Sequence, residues 1–358
     1  MNSPINDSWN DALIEQLAQF DEALRLGRDP KQEPQLDPEL EQTQHFLLRL
    51  QSLWPRAPKK IGPYILVRSL GQGTIGPSYL VEDPRTLQAL VLKILWPNLS
   101  ADPQTRQQFT QNAKAVQLLQ HANIAAVREV RESGALCIVV SDYCPGSSLA
   151  QWRRQKPRPL AWDVATALVV RLADILHVAH GQGISHGNLK PSNIFLAHEP
   201  EITPSNVHQA ALRVADFALG KAVQQTRLPS HGGLAWPMPQ YLAPEQLQHR
   251  TRPNEPASDL YALGVMWYEL MTGRCPVKGT TKEEIIARTL EAMPPPPRQY
   301  RPEVPAEVET LVLRCLHKNP RERPASALLL ADALRPLLAG ATPMLATPPW
   351  WKQWLGWM

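Results

Sequence analysis

The chain has 358 residues, 43% of them apolar, enough for one large two-lobed domain or two ordinary ones and too apolar for disorder throughout. Its 37 basic and 33 acidic residues leave a net charge of +4 with no run of about five or six like charges, so composition lends no support to nucleic-acid binding. Cys137, Cys144, Cys275 and Cys315 are too dispersed for a Cys-x-x-Cys pair, no signal sequence opens the chain, and no apolar run reaches the ~18 residues of a membrane span, so a cytoplasmic protein with reduced thiols is expected.

Residues 1–60 read as a helical extension. Leu13, Leu17, Phe20 and Leu24 recur at helical spacing before Gly27; Leu40, Leu47, Leu50 and Trp54 do so before Pro55, with Asp37-Pro38 as the start signal of the second helix. So small a hairpin must bury its stripes against the rest of the chain or a partner. From Tyr64 the pattern turns to short β-rich runs around a glycine turn, at 65–70, 79–82 and 90–95. A helix is expected over 103–119 and an apolar strand over 136–141. Beyond Ser148 the chain is mainly helical, at 161–182, 258–272, 282–291, 306–317 and 325–338, with short strands at 193–196 and 212–215 flanking the loop 197–211. A small β-rich lobe (about 61–143) followed by a larger helical one (about 144–340) is an α+β arrangement. The tail, 341–358, is rich in proline and tryptophan. At helical spacing Trp350, Trp351, Trp354 and Trp357 make one aromatic face, suited to a membrane interface; so short a helix is marginal in water, and the alternative is a mobile tail or one tucked onto the domain.

Several motifs follow one another in a fixed order. Gly71-Gln72-Gly73-Thr74-Ile75-Gly76 falls on a turn between strands, and Lys93 lies on the strand after that hairpin. His186-Gly187-Asn188-Leu189-Lys190-Pro191-Ser192-Asn193 comes next, then Asp216-Phe217, Ala243-Pro244-Glu245, Asp259 and Arg323. Together, over residues 62–338, they resemble the protein-kinase family near its bacterial serine/threonine members. The resemblance implies a two-lobed kinase-like fold and a site for ATP and Mg2+. Gly71, Gly73 and Gly76 would let the backbone approach the phosphates, Lys93 would pair with them, and Asp142 and Cys144 would complete the nucleotide set. Lys190 would lie near the γ-phosphate, and Asn193 and Asp216 would hold metal. Glu245 would pair with Arg323, and Asp259 would anchor the catalytic-loop backbone.

Departures from the family pattern fall mostly on the transfer machinery. Asn188 stands where the proton-accepting aspartate belongs, and an amide is no base near neutral pH, a loss worth about 10² to 10⁴ in rate. Asn112 replaces the helix glutamate that would pair with Lys93, Gly187 replaces the arginine that reads an activation-loop phosphate, and Met238 replaces a threonine that in active members bonds the catalytic aspartate and lysine, which also puts peptide docking in doubt. Ala218 takes the place of the metal-loop glycine; Ser78 and Val91 alter the adenine slot. The expectation is a pseudokinase that keeps the fold, has the residues to bind ATP, and acts in signalling on protein partners. The alternative is a slow serine/threonine kinase using Lys190, Asn193 and Asp216 with Asn188 as an orienting group.

Overall fold

The structure, a computed structural model, describes residues 60–96, 99–100, 102–133, 136–156, 158–196, 211–220, 238–248 and 256–339. The expected amino-terminal hairpin, the tryptophan tail and nearly all of the 197–211 loop lie outside them.

Strands β1 (Lys60–Ile61), β2 (Tyr64–Gln72), β3 (Pro77–Asp83), β4 (Gln88–Ile94), β5 (Val127–Ser133) and β6 (Leu136–Asp142) form one antiparallel sheet in the order β1-β2-β3-β4-β6-β5. Period-two alternation divides its faces. Leu90, Leu92 and Ile94 of β4 join Tyr79, Val81, Ile138 and Val140 in one apolar cluster, which leaves Val91 and Lys93 facing the other way. That second face is closed by α1 (Pro103–Gln117), which Asp102 caps by accepting the Thr105 N–H at 2.8 Å. Phe109, Ala113 and Val116 of α1 are buried there with Cys137 and Val139.

The helical lobe starts with β7 (Ser147–Ser148) and α2 (Leu149–Gln155) and is built on α3 (Trp162–Gly181). Strand β8 (Ile194–Leu196) pairs with β7 on one side and β9 (Leu212–Val214) on the other in a small sheet of order β7-β8-β9, and α4 (Pro244–Leu247), α5 (Pro256–Thr272), α6 (Lys282–Glu291), α7 (Ala306–Cys315) and α8 (Ala327–Leu338) follow. By length and hydropathy α3 could cross a membrane, but Val169, Leu172, Ala173 and Leu176 are buried in the core with Leu263, Trp267 and Leu330, so it serves as the lobe's central helix. Trp267 donates its indole N–H to the Thr166 hydroxyl at 3.2 Å, satisfying a buried donor between α3 and α5.

One ion pair ties the far end of this lobe. Arg323 is 1% exposed, and each of its five N–H donors has a partner. Two go to Glu245, Nη1 to Oε1 at 2.6 Å and Nη2 to Oε2 at 2.8 Å. The rest reach the carbonyls of His317, Ala257 and Lys318 at 2.9, 2.9 and 3.3 Å. Burial alone would raise the Glu245 pKa, but Arg323 more than offsets it and holds the carboxyl below its ordinary value. Arg323→Ala would remove both charged donors from the Glu245 carboxylate, leaving it the Ser258 hydroxyl at 2.6 Å, and would take a donor from the His317 and Lys318 carbonyls, an expected loss of about 3–5 kcal/mol, read as a lower urea midpoint.

Lys318 next to it donates to the Thr289 carbonyl at 2.6 Å, and burial, then Arg323, pulls its pKa down to about 8. The folded chain therefore holds this proton less tightly than the unfolded chain, whose lysine titrates at 10.5. The destabilising contribution is full below pH 8 and is relieved as pH rises from about 8 to 10.5. The stability offset between Lys318→Met and the wild type should accordingly move in favour of the wild type over that window; equal offsets at its two ends would contradict the assignment.

Candidate active site

The loop from Ile184 to Asn193 is held from beneath by one carboxylate. Asp259, on the first turn of α5, is 1% exposed and accepts the main-chain N–H of His186 at 2.7 Å, that of Gly187 at 2.8 Å, and a bond from His180 Nε2 at 2.8 Å. Burial would raise its pKa; the bond and charge of His180, followed by His186 and the Gly187 amide, bring it below the ordinary value. His186 lies fully within the protein, where burial lowers its pKa against the pull of Asp259 and Asp216. Its Nε2 faces the Ala215 carbonyl at 3.1 Å and its Nδ1 receives the Asn188 N–H at 3.3 Å, a pattern that fits the neutral ring protonated on Nε2. Phe217 stacks on that ring with centroids 4.7 Å apart, and Ala218 N–H bonds the His186 carbonyl at 3.0 Å. The segment that carries Asp216 is thereby fixed to the loop.

Gly187 has φ +74°. A side chain there would sit in the left-handed region, so glycine relieves strain at the position where the resemblance places arginine. Asp216 and Ala218, at φ +66° and +56°, keep that strain in the facing segment.

Lys93, on the cleft face of β4, makes a bidentate pair with Asp216, its Nζ 2.5 Å from both carboxylate oxygens. Burial would raise the Asp216 pKa, and the charge and bond of Lys93, with smaller help from His186 and Lys190, carry it below the ordinary value. Asn112 is half-buried on α1 and is not among the residues that line the cleft. The lysine, with no helix carboxylate opposite it at that turn, is placed by Asp216. Lys190 reaches the Thr74 hydroxyl at 3.5 Å, and its pKa is lowered by burial, opposed by Asp216 and reinforced by Lys93.

The cleft between the lobes encloses about 620 Å³ and is lined by Gly71, Gly73, Gly76, Lys93, Lys190, Asn193 and Asp216, together with Ser78, Val91, Cys144 and Met238. Asn193 donates from Nδ2 to the Asn188 carbonyl at 3.1 Å, which leaves its Oδ1 turned to other donors or a cation. Asn188 is 7% exposed, and Gly220 packs on it so closely that an added Cβ would stand 2.6 Å from the Asn188 Cβ. Asp142 turns its carboxylate to Arg128 Nε at 2.6 Å and Arg213 Nη2 at 3.2 Å, and Cys144 is a buried thiol whose pKa burial pushes up to about 11.

The three glycines differ. Gly71 has φ +112°, a backbone reason for glycine, and a Cβ at Gly73 would meet the Gly76 carbonyl oxygen at 3.9 Å, an ordinary contact. At Gly76 a Cβ would lie 1.7 Å from the Ile94 carbonyl oxygen, so the loop is pressed against the end of β4. Sequence reasoning passed over two contributors to this site, Thr74 and Trp96; a tryptophan shortly after the strand lysine was the available signal.

A sheet-bearing lobe joined by Asp142 to a helical lobe, with a glycine turn, a strand lysine and an Asn-Asp pair facing one cleft, defines a protein kinase fold. The chain matches the protein kinase domain family over residues 64–334 and belongs to that family. It is similar to the serine/threonine-protein kinases Pkn1 and pkn3 of Myxococcus xanthus, at 33% identity over 286 and 270 residues, covering 80% and 72% of this chain. The matches take in 40% and 47% of those relatives, so the chain spans less than half of their length. Among solved structures it is similar to the PknI kinase domain of Mycobacterium tuberculosis, with TM-score 0.59, 26% identity, and coverage of 78% of this chain and 96% of that one. Gly187→Arg is expected to lower stability by about 1–2 kcal/mol because the new side chain must adopt left-handed φ, measurable as a fall in Tm.

Proposed function

We propose that this chain is a pseudokinase: a kinase-family domain that takes up ATP with magnesium between its lobes, transfers phosphate at most very slowly, and acts in signalling through contacts with other proteins. The observation that carries this reading is Asn188. It stands in the middle of the 184–193 loop with its carbonyl bonded to Asn193 and Gly220 packed on its side chain. An amide there can orient a hydroxyl but cannot take its proton, a deficit of roughly 3–5 kcal/mol in the barrier. Asn112 and Met238 add to it, since Lys93 lacks a helix carboxylate and the peptide side of the cleft carries a thioether in place of a hydroxyl.

The residues present fit a magnesium nucleotide. Among the described residues no three His, Cys, Asp or Glu side chains gather as a self-sufficient metal site. Magnesium is ordinarily held by one or two carboxylates with phosphate oxygens and water, a set that Asp216 and the Asn193 amide oxygen can join. The bound nucleotide would supply the phosphoryl group, and its metal would neutralise phosphate charge. Lys93 and Lys190 would hold the phosphates, once Lys93 releases at least one Asp216 oxygen. A cytoplasmic setting, and peripheral membrane contact through Trp350, Trp351, Trp354 and Trp357, belong to the same proposal.

Purified full-length chain, incubated with radiolabelled ATP, magnesium or manganese and a generic basic protein, is expected to transfer no more label than its Lys93→Ala and Asp216→Ala variants. Label transferred by the wild type and lost in both variants would overturn the pseudokinase reading and favour a slow serine/threonine kinase, the activity named for its relatives. A rise in melting temperature with magnesium and ATP is expected; no shift at millimolar nucleotide would remove the nucleotide half of the proposal.

A further inference from the structure

The loop between β2 and β3 is tucked inward. Gly73 N–H is spent on the Gly76 carbonyl at 3.0 Å, closing the loop on itself. Trp96, just past β4, holds it by two more bonds: its main-chain N–H goes to the Ile75 carbonyl at 3.0 Å and its indole Nε1–H to the Gly73 carbonyl at 3.1 Å. Ile75, at the tip, is 5% exposed and belongs to the same buried cluster as Trp96, Leu99 and Phe109. Thr74 beside it is buried and accepts from Lys190. The close approach of Gly76 to the Ile94 carbonyl shows how tightly the loop lies on the strand end.

A loop that cradles phosphates does so with main-chain amides turned to the ligand. Here the Gly73 amide faces its own loop and Thr74 stands over Lys190. Trp96 itself does not line the cleft, so its influence on a ligand must pass through the loop.

We propose that Trp96 is a positioning residue that clasps the phosphate-binding loop shut through its indole N–H, so that a nucleoside triphosphate binds only at the expense of that clasp. This rests on the reading that the cleft takes nucleotide. The clasp opposes the phosphate chain, whereas a nucleoside that lacks phosphates has no need to move the loop. Trp96→Phe keeps an aromatic ring in the buried cluster and removes the donor together with part of the indole's volume. Ile75→Ala loosens the same loop by trimming the apolar contact at its tip and leaves the Trp96 indole donor in place.

The test titrates full-length wild type, Trp96→Phe and Ile75→Ala by calorimetry with magnesium ATP and, separately, with adenosine. Both variants are expected to bind ATP about five-fold more tightly, the worth of one neutral hydrogen bond, with adenosine affinity unchanged. ATP affinity equal in all three proteins would overturn the clasp and leave the nucleotide reading intact. Equal changes for ATP and adenosine would also overturn it, as the mark of a merely structural residue. Absence of ATP binding in every protein would bring down the clasp together with the nucleotide reading, and binding only by the variants would support both.

Discussion

The Asp259 carboxylate sets the geometry of everything above it. A buried anion is costly unless its lone pairs are filled, and here the filling comes from the two consecutive main-chain amides of His186 and Gly187 and from His180. Those bonds fix the direction of the loop, the loop orients His186, and His186 holds the strand end that carries Asp216 through Ala215 and Phe217. None of these links passes through the Asn188 side chain. The scaffold therefore tolerates an amide at 188 without rearrangement, which is the physical reason shape and turnover can separate in this fold.

Charge balance in the cleft follows the same division. Lys93 and Asp216 satisfy each other, so the site is electrostatically settled without ligand. In a family site with a helix glutamate, that lysine would have a second anion to turn to; Asn112 provides none. Strain is likewise distributed unevenly: it stays at Asp216 and Ala218, where the segment must bend, and is released at Gly187.

Much of this was legible in the sequence. The short β-rich run over 90–95 and the periodicity over 161–182 and 258–272 gave elements that the structure places within a residue or two, and the motif order gave the family. Strand β5 escaped because Val127-Arg-Glu-Val-Arg-Glu-Ser is mostly polar and bulged between Val127 and Glu129, so it lacks a clean alternation. Strand β7 and the short helix α2 fell within a stretch described only as helical in character. At the site, residue identities announced which groups were lost but not who their partners became. Lys93 turning to Asp216, and the glycine loop turning to Trp96, depend on contacts between segments far apart in sequence or on loop conformation, which carry no local pattern.

Asp142 has a consequence beyond the nucleotide role its position suggested. It ends the large sheet, and its carboxylate is shared between Arg128 of β5 in the small lobe and Arg213 of β9 in the large one. Asp142 and Arg128 sit on paired strands of one sheet and move together, so a rotation of one lobe against the other stretches the Arg213 pair. The Arg213 side chain is 30% exposed, so dissolved ions screen that pair in part. Interlobe stiffness in this chain is thus set partly by ionic strength, through a pair that crosses from sheet to helical lobe.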